Sequence, residues 1–253
     1  MTGLSAVIIT LNEEKNIGDC IDALKEVADE IIVVDARSTD GTAAICLQKG
    51  VRFVQADWKG YAETKNYANS LASFPLILSI DADEVLTNDL KASVLSVKQN
   101  PVFDCYKLNR RTNYCGHWMM HLWYPDAKIR LFFKDRAHWI GSSVHEELKM
   151  ESLHSVGFLK GDLLHYTCRT ISQHMATTYK YSTLKAIQAN SEGKRALLIK
   201  IIFSPMSKFI SEYVLKKGFL DGYYGYVACC ISAFGTFAQY VKLHELNNDK
   251  PYN

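Results

Sequence analysis

Three carboxylates that follow a short apolar run are the residues in this sequence best placed to do chemistry. Residues 76–80, Leu-Ile-Leu-Ser-Ile, suit a buried strand, and Asp81, Asp83 and Glu84 come directly after them. Carboxylates this close repel one another unless positive charge lies between them, and a divalent cation with a phosphorylated ligand is a common source of that charge. Taken alone, the triplet is explained equally well as a polar turn after a strand. The rest of the chain has to decide between the two.

The first hundred residues contain the elements that would position these carboxylates. Apolar or β-branched runs predict four strands, at residues 5–11, 30–34, 51–55 and 76–80. Apolar residues at helical spacing follow the first strand, N-cap residues open a short helix near residue 42, and a third helix is predicted over 61–73. Strands that alternate with helices in this way indicate an α/β fold with a Rossmann-like, mostly parallel sheet and flanking helices.

Polar side chains follow three of the predicted strands. Thr10 and Asn12 end the first strand, Asp35 ends the second, and Asp81 and Asp83 end the fourth. The carboxyl ends of parallel strands lie on one edge of a sheet, so we expect these residues to converge on one crevice. Neither a G-x-G-x-x-G loop nor a phosphate loop ending in Gly-Lys-Ser/Thr follows the first strand, which disfavours an ordinary dehydrogenase or a P-loop NTPase.

Composition sets broad limits on the class of protein. The 253 residues, 48% hydrophobic and 22% charged, suffice for one large domain or for one domain with an appendage. A formal charge of +2 does not indicate a nucleic-acid binder. The seven cysteines form no regular framework, and no basic, apolar leader precedes the first strand. We therefore expect a reducing, cytoplasmic setting with free thiols.

In this order, the motifs resemble those of glycosyltransferase family 2, whose members have the GT-A fold. The resemblance rests on Ile-Ile-Thr-Leu-Asn-Glu-Glu at 8–14, Ile-Val-Val-Asp at 32–35 with Ser-Thr-Asp-Gly-Thr at 38–42, and Asp-Ala-Asp at 81–83. Further motifs are similar to the branch that contains lipopolysaccharide core β-glucosyltransferases; they lie at 58–60, 65–68, 144–146 and 217–222. Two departures are Ala36-Arg37, in place of a small polar pair, and His145-Glu146, where many relatives have Glu-Asp.

The resemblance implies a nucleotide site and a metal site. The residues implied to bind nucleotide are Thr10, Asn12, Glu13, Asp35, Lys65, Asp81 and Ala82. Asp35 would accept a hydrogen bond from the imide of uracil, and Asp81 would approach the ribose. Asp83 would bind Mg²⁺ or Mn²⁺, cations that prefer oxygen ligands, with His165 as a second ligand. A lone histidine in an apolar strand is often structural, and Glu84 could be an outer contact of the metal or a helix cap.

A catalytic base is expected shortly before residue 150. A sugar hydroxyl that attacks an anomeric carbon needs a base within hydrogen-bond reach, and a partly buried carboxylate can serve. Alignment with the acidic pair of the family favours Glu146; Glu147 is the second choice, and a surface charge pair is the alternative. Arg130, His145 and Glu147 are weaker candidates for contacts to the acceptor or the diphosphate.

The middle segment also contains possible zinc ligands. Cys115, His117 and His121 invite that interpretation, because a His-x₃-His spacing puts both rings on one helical face. No matching pair of cysteines or histidines lies nearby to complete four ligands. Ordinary loop and core positions are therefore the favoured explanation.

The last third of the chain is predicted to be helical, amphipathic and basic. Lysine and arginine alternate with large apolar residues between 194 and 217, a pattern typical of a helix that lies in a membrane surface. Packing of the same helix on the sheet, with a solvated basic face, is the alternative. Residues 222–241 carry no charge and are just long enough to span a bilayer, but glycines, hydroxyls and tyrosines make them weakly apolar. We interpret them as peripheral or buried.

The sequence thus predicts two domains: a GT-A nucleotide-sugar-binding and catalytic domain at 1–170, and a helical, membrane-associating region at 171–253. The expected activity is inverting, metal-dependent transfer of a sugar, with glucose favoured, from a UDP-sugar to a hydroxyl of a lipopolysaccharide-core or other lipid-linked glycan. The product would be a β-glycoside. We expect a peripheral protein on the cytoplasmic face of the inner membrane, with no nucleic-acid partner.

Two other functions remain as alternatives. A sugar-1-phosphate nucleotidyltransferase would need a Gly-rich, Arg-containing loop after the first strand, where this chain has Thr-Leu-Asn-Glu-Glu. A non-catalytic, membrane-associated nucleotide-binding protein would bind metal and nucleotide without hydrolysing the donor.

Overall fold

The computed structural model describes residues 1–141, 146–151 and 155–248. The chain divides into two units: Met1–Arg111 with Asp126–Tyr166, and Thr112–Pro125 with Thr167–Asn253. A catalytic role for residues 1–170 and a membrane-associating role for residues 171–253 stay predictions. All seven cysteines are free thiols, as expected.

The first unit begins with parallel strands and the helices that connect them. Its elements up to residue 99 are β1 (Leu4–Thr10), α1 (Ile17–Lys25), β2 (Glu30–Asp35), α2 (Thr42–Gln48), β3 (Arg52–Gln55), α3 (Tyr61–Ser70), β4 (Leu76–Asp81), β5 (Glu84–Leu86) and α4 (Asn88–Gln99). β1 pairs in parallel with β2 and β4, and β2 pairs in parallel with β3. All of β1 is buried, which explains why it reads as a nearly continuous apolar run. The four predicted strands are confirmed.

The later part of the chain adds antiparallel strands and then helices. These elements are β6 (Cys105–Tyr114), β7 (His117–Trp118), β8 (Asp126–Phe133), β9 (Ala137–Ile140), β10 (Glu147–Met150), β11 (Val156–Cys168), α5 (Ile171–Ser191), α6 (Leu198–Ile210) and α7 (Gly222–Asn247). Between α6 and α7 lie a π-helical turn, Ser211–Leu215, and a 3₁₀ turn, Gly218–Asp221.

The central sheet is mixed. Among the described residues, nine strands form it in the order β3-β2-β1-β4-β8-β6-β11-β5, with β7 paired to β6. β8 runs antiparallel to β4 and to β6, and β5 runs antiparallel to β11. The predicted α/β class is confirmed, but only the first four strands are parallel to one another. The reason is that parallel neighbours need a crossover connection, usually a helix, and the described residues between β6 and β11 contain no helix.

Apolar side chains cover both faces of the parallel strands. Leu4, Ala6 and Ile8 of β1 belong to the cluster that includes α1, whereas Val7 and Ile9 belong to the cluster that includes α3. Side chains alternate in this way because successive residues of a strand point to opposite faces. With both faces covered, the strand ends are where polar side chains can meet a ligand.

The second unit contains a buried lysine between two helices. Lys242 on α7 is almost fully buried, and its ammonium donates to the Ser182 hydroxyl at 2.8 Å, the Thr183 hydroxyl at 2.7 Å and the Tyr179 carbonyl at 3.1 Å on α5. The ammonium also lies 3.4 Å from the centre of the Tyr179 ring, a cation–π contact. Burial lowers the pKa of Lys242 from its ordinary value. These contacts fix α7 against α5.

Within the described residues, no helix combines the length and the apolar character that are needed to cross a bilayer.

Candidate functional site

Backbone and side-chain hydrogen bonds connect the loops that follow β1 and β2. The Asn12 side-chain oxygen accepts from the Thr39 amide at 2.8 Å, and the Asn12 amide donates to the Ser38 hydroxyl at 2.8 Å. The Glu13 amide donates to the Thr42 hydroxyl at 2.8 Å. Asn12 has a φ of 56°, in the left-handed region that asparagine tolerates better than most residues. Asn12 therefore has a structural role in this loop, and its predicted contact with a nucleotide would be an additional one.

Asp35 and Thr10 are buried at the same edge of the sheet. The Asp35 carboxylate accepts from the Ser38 amide at 2.9 Å and from the Ser38 hydroxyl, and the Gln55 amide lies 3.5 Å away. Asp35 has no exposed surface. A contact between a uracil imide and this carboxylate would therefore require Ser38 to turn away. In the described part of the chain, the Thr10 hydroxyl is buried without a hydrogen-bond partner, so it remains available to a ligand.

A chain of charged side chains with alternating sign crosses the first unit. In spatial order the members of this charge chain are Lys128, Asp126, Arg110, Glu84, Arg130, Asp81, Lys65 and Glu146. Neighbouring members are 2.6 to 3.4 Å apart. Each carboxylate of the charge chain is thus separated from the next by a basic side chain of β6, β8 or α3. Basic side chains of the protein therefore supply the positive charge that was expected next to Asp81 and Glu84.

Arg130 joins two of these carboxylates directly. Its Nη2 atom lies 2.6 Å from Oδ2 of Asp81 and 2.7 Å from Oε1 of Glu84. Burial would lower the pKa of Arg130, but the two carboxylates outweigh burial and raise it. Burial would likewise raise the pKa of Asp81, yet Arg130 and Lys65 hold it well below the usual carboxyl range. Both oxygens of Asp81 are engaged by these cations, which leaves Asp83 as the better placed metal ligand of the pair.

Glu84 anchors the turn that carries the aspartates. It is fully buried between Arg130 and Arg110, whose Nη1 lies 3.4 Å from Oε1 of Glu84. Its other oxygen, Oε2, accepts from the backbone amide of Asp81 at 2.9 Å. Glu84 is therefore neither a helix cap nor a surface residue. Arg110 was not identified from the sequence, because a basic residue in an alternating strand is indistinguishable by pattern from a solvent-facing one.

Replacing Glu84 by glutamine is expected to lower the free energy of unfolding by about 3 kcal/mol, because Arg130 and Arg110 each lose one of their two carboxylate partners. The side-chain volume is nearly unchanged, so packing loss does not contribute. Urea denaturation followed by circular dichroism at pH 7 measures this change. Glu63→Gln, on an exposed position of α3, is the matched control and should differ from the parent by less than about 0.5 kcal/mol. Equal stability of the two variants would contradict the anchoring role of Glu84.

Asp83 and His165 form the candidate metal centre. Oδ2 of Asp83 lies 3.2 Å from Nε2 of His165, and the Tyr166 amide donates to the Asp83 carbonyl at 2.9 Å. Pairing of β5 with β11 places His165 opposite Glu84 and so fixes this approach. Among the described residues, Nδ1 of His165 is buried without a hydrogen-bond partner. A carboxylate oxygen and an imidazole nitrogen that face each other are suitable ligands for a divalent cation.

The number of protein ligands limits what this centre can hold. The described residues contain no group of three or more His, Cys, Asp or Glu side chains that could bind a metal ion. Two ligands suit a cation that takes its remaining ligands from bound phosphates and water, as Mg²⁺ commonly does. The pair therefore fits the expected Mg²⁺ or Mn²⁺ in a nucleotide complex better than a closed structural site.

Lys65 lies between Asp81 and the candidate base Glu146. Its ammonium lies 3.0 Å from Oδ1 of Asp81 and 3.2 Å from Oε1 of Glu146, although 81 residues separate Lys65 from Glu146. Lys65 is buried beneath Trp139, whose ring centre is 4.5 Å from the ammonium. Asn66 holds Trp139 in place by two hydrogen bonds of 2.8 Å to its backbone. The Glu146 side chain is about one quarter exposed, so a ligand can reach it.

The remaining predicted residues lie apart from this centre or outside the described structure. Ala82 is buried between the two aspartates, and Glu147 is exposed at the start of β10. His145 lies outside the described residues. In the second unit, His117 stacks on Tyr224, whereas His121 lies 3.3 Å from Asp221. Each of these two histidines thus has its own aromatic or carboxylate neighbour in the second unit.

Comparison with known proteins agrees with the predicted family. Residues 5–155 match the family described as Glycosyl transferase family 2. The lipopolysaccharide core biosynthesis glycosyltransferase LpsC of Rhizobium meliloti is 32% identical over 96% of this chain and 92% of that protein. An uncharacterized glycosyltransferase of Rickettsia typhi is 29% identical over 98% of this chain and 88% of that protein.

A solved structure is similar to part of the chain. The glucosyl-3-phosphoglycerate synthase of Mycobacterium tuberculosis, in complex with Mn²⁺ and UDP-glucose, is 23% identical, with a TM-score of 0.39 over 44% of each chain.

The family match covers more than half of the present sequence, and LpsC aligns with nearly all of it. The mixed sheet with flanking helices is a GT-A-like arrangement, although the sheet was predicted to be mostly parallel. This chain is a glycosyltransferase, and it belongs to glycosyl transferase family 2.

Proposed function

We propose that the enzyme transfers a sugar from a UDP-sugar to a hydroxyl of a lipopolysaccharide-core or other lipid-linked glycan. Glucose is the sugar that the family resemblance favours. The observation that carries the proposal is the position of Lys65, whose ammonium contacts both Asp81 and Glu146. Asp81 is two positions before Asp83, the carboxylate that faces His165. A candidate base is thus joined by ion pairs to the strand end that carries the candidate metal ligand.

The donor nucleotide would bind at the ends of β1, β2 and β4. The residues proposed to contact it are Thr10, Asn12, Glu13, Asp35, Lys65, Asp81 and Ala82. Support comes from the position of Thr10, Asp35 and Asp81 at one edge of the sheet and from the Thr10 hydroxyl, which has no hydrogen-bond partner among the described residues. Arg130, His145 and Glu147 remain weaker candidates for contacts to the diphosphate or the acceptor.

Asp83 and His165 would hold Mg²⁺ or Mn²⁺ in the donor complex. When bound, such a cation acts as a Lewis acid that neutralises charge on the departing diphosphate. The protein contributes the fixed orientation of both ligands, through the pairing of β5 with β11 and the hydrogen bond from the Tyr166 amide to Asp83. Arg130 and Lys65 keep Asp81 anionic beside them.

Glu146 is proposed to take the proton of the acceptor hydroxyl. The acceptor oxygen then attacks the anomeric carbon while the bond from that carbon to the diphosphate oxygen breaks. Attack from the opposite side inverts the configuration, so an α-linked donor gives a β-glycoside. Lys65 contacts Oε1 of Glu146, and Oε2 is the oxygen proposed to receive the proton.

The acceptor and the place of reaction are further parts of the proposal. LpsC is named for lipopolysaccharide core biosynthesis, and it matches this chain over nearly its whole length. An acceptor of that kind is anchored in lipid, which suits a peripheral enzyme on the cytoplasmic face of the inner membrane. No nucleic-acid partner is proposed.

Thermal unfolding with nucleotide sugars tests the donor and the metal together. UDP-glucose with Mn²⁺ at about 100 times its dissociation constant is expected to raise the melting temperature by roughly 5 °C or more, because ligand binding at that excess stabilises the native state by about 2.7 kcal/mol. EDTA should remove most of the shift, and GDP-sugars should give little. Stabilisation by ATP alone, or by none of these nucleotides, would contradict the proposal.

The same preparation separates the two alternatives. A nucleotidyltransferase would form UDP-sugar from UTP and a sugar-1-phosphate. A non-catalytic binding protein would respond to UDP-glucose and Mn²⁺ but would release no UDP, with or without acceptor.

A further inference from the structure

The helix α6 carries its apolar side chains on the outside of the second unit. Six large apolar residues at helical spacing are each 52% to 68% exposed: Leu198, Ile199, Ile202, Phe203, Met206 and Ile210. We call this set the α6 face. The helix is described throughout, and none of its residues is buried. A helix that packs on a protein core normally turns such a stripe inward, and α6 does the reverse.

The side of α6 that meets α7 combines polar groups with Phe209, which packs against the apolar cluster that contains Ala228 and Cys229 of α7. It borders a groove between α6 and α7 whose lining includes Ser204, Ser211, Thr236 and Gln239, and also two members of the α6 face, Ile199 and Phe203. Lys208, on the same side, lies 2.7 Å from Glu212, which is buried in the following π-helical turn. Packing against α7 therefore still leaves the side chains of the α6 face more than half exposed, Ile199 and Phe203 included.

Exposed apolar side chains continue beyond the end of α6. In the two turns that lead to α7, these residues are Val214, Leu215, Phe219 and Leu220. Lys216 and Lys217 are exposed between them. The turns thus repeat the combination of large apolar groups and cations that is present on α6.

The charges around the α6 face are predominantly positive, although Lys194, at its edge, is paired with Glu192. The segment 194–217 contains six basic residues: Lys194, Arg195, Lys200, Lys208, Lys216 and Lys217. Its one acidic residue, Glu212, is 3% exposed and paired with Lys208. An approaching surface therefore meets exposed apolar groups bordered by positive charge.

We propose that the α6 face inserts into the headgroup region of a bilayer rich in anionic lipid, with α6 lying in the plane of the membrane. Apolar area of this kind is buried at the boundary between headgroups and acyl chains, while lysine and arginine at the rim bind lipid phosphates. The inference rests on the proposed function in one respect only, that a membrane surface would bring the enzyme to a lipid-linked acceptor. Binding itself needs neither donor nor acceptor.

Co-sedimentation with vesicles tests this proposal on the full-length protein without substrates. We expect binding to vesicles of phosphatidylcholine mixed with phosphatidylglycerol, weaker binding to phosphatidylcholine alone, and loss of the difference at high salt. Ile202→Ser combined with Phe203→Ser should weaken binding to the mixed vesicles roughly tenfold or more, since each methylene removed from the membrane reduces affinity. Lys216→Gln with Lys217→Gln should weaken it by roughly fivefold per lysine.

A matched control comes from another exposed helix of the same unit. Leu184 and Ile187 on α5 are also large, apolar and exposed, and serine at both positions should leave vesicle binding unchanged. Thermal unfolding of each variant checks that the fold is retained. Equal binding of the α6-face variant and the α5 control would overturn the proposal, as would failure of the parent protein to bind either kind of vesicle. A dimer that dissociates on substitution of the α6 face, without vesicle binding, would assign the surface to a second copy instead.

Activity measurements distinguish failure of this inference from failure of the proposed function. The α6-face variant should retain the parent rate of UDP release with a water-soluble acceptor fragment. Vesicle binding without any transferase activity would contradict the proposed function and leave the membrane surface in place. Transferase activity without vesicle binding would contradict the membrane surface and leave the proposed function in place.

Discussion

Replacing Asp83 by alanine is expected to reduce sugar transfer by about a thousandfold while the protein stays folded. Loss of the carboxylate removes one of the two proposed metal ligands, and a Lewis-acid cation typically contributes several kcal/mol of transition-state stabilisation. Each 1.4 kcal/mol corresponds to a factor of ten in rate. Release of UDP with saturating donor and acceptor measures the effect.

A readout other than activity shows whether Asp83 acts through a metal ion. In the parent protein, Mn²⁺ should increase the rise in melting temperature that UDP causes. In Asp83→Ala this increase should disappear, while any stabilisation by UDP alone persists. Asp89→Ala, at an exposed position in the first turn of α4, is the matched control and should keep both responses. If Mn²⁺ still increases the melting temperature of Asp83→Ala with UDP as it does for the parent, the metal ion binds elsewhere.

Replacing Glu146 by glutamine is expected to reduce the rate of transfer by a factor of roughly 10² to 10⁴, the usual contribution of a general base. The amide retains the shape of the side chain and a neighbour for Lys65, but it cannot take up the proton of the hydroxyl. The Michaelis constant for the donor should change little, because donor binding does not use this proton transfer. Steady-state kinetics with each substrate varied in turn separates the two parameters.

The outcome for Glu146 has two informative comparisons. Glu63→Gln, exposed on α3 and outside the site, should keep the parent rate. If Glu146→Gln is fully active and Glu147→Gln is inactive, the base is Glu147. If both are active, the base lies elsewhere in the site and the proposed role of Glu146 is wrong.

The parallel half of the fold was predictable because its signals are local. Each buried strand is an apolar run followed by a helical pattern, so the ends of β1, β2 and β4 and their polar residues were located correctly. The order of the remaining strands was not readable, since β8 pairs with β4 across a separation of about fifty residues. No local pattern encodes that choice of partner, which is why the sheet was expected to be mostly parallel.

The structure brings several of the predicted site residues together, and their roles stay predictions; the contacts among them were not readable from the sequence. Asp83 and His165 do lie together, and Lys65 does reach both Asp81 and Glu146. The hydrogen bonds from Ser38 to the Asp35 carboxylate could not be predicted from the sequence. An aspartate that caps its own turn and an aspartate that binds a nucleobase have the same neighbours in the chain. Roles of charged residues inside a protein depend on which opposite charges fold against them.

The charge chain has a consequence for how the enzyme can vary in evolution. Because its charges alternate in sign, a neutral residue at one member leaves the neighbouring members with one partner fewer. The loss is costly where the neighbour is one of the buried members, Glu84, Arg130 or Lys65. Removing two adjacent members of opposite sign, such as Arg110 with Glu84, avoids part of that cost. For residues in contact, the changes in unfolding free energy caused by the two single substitutions rarely add up to that of the double substitution. Sequences related to this one are therefore expected to change here by correlated pairs, and a homologue that lacks one member should lack its neighbour as well.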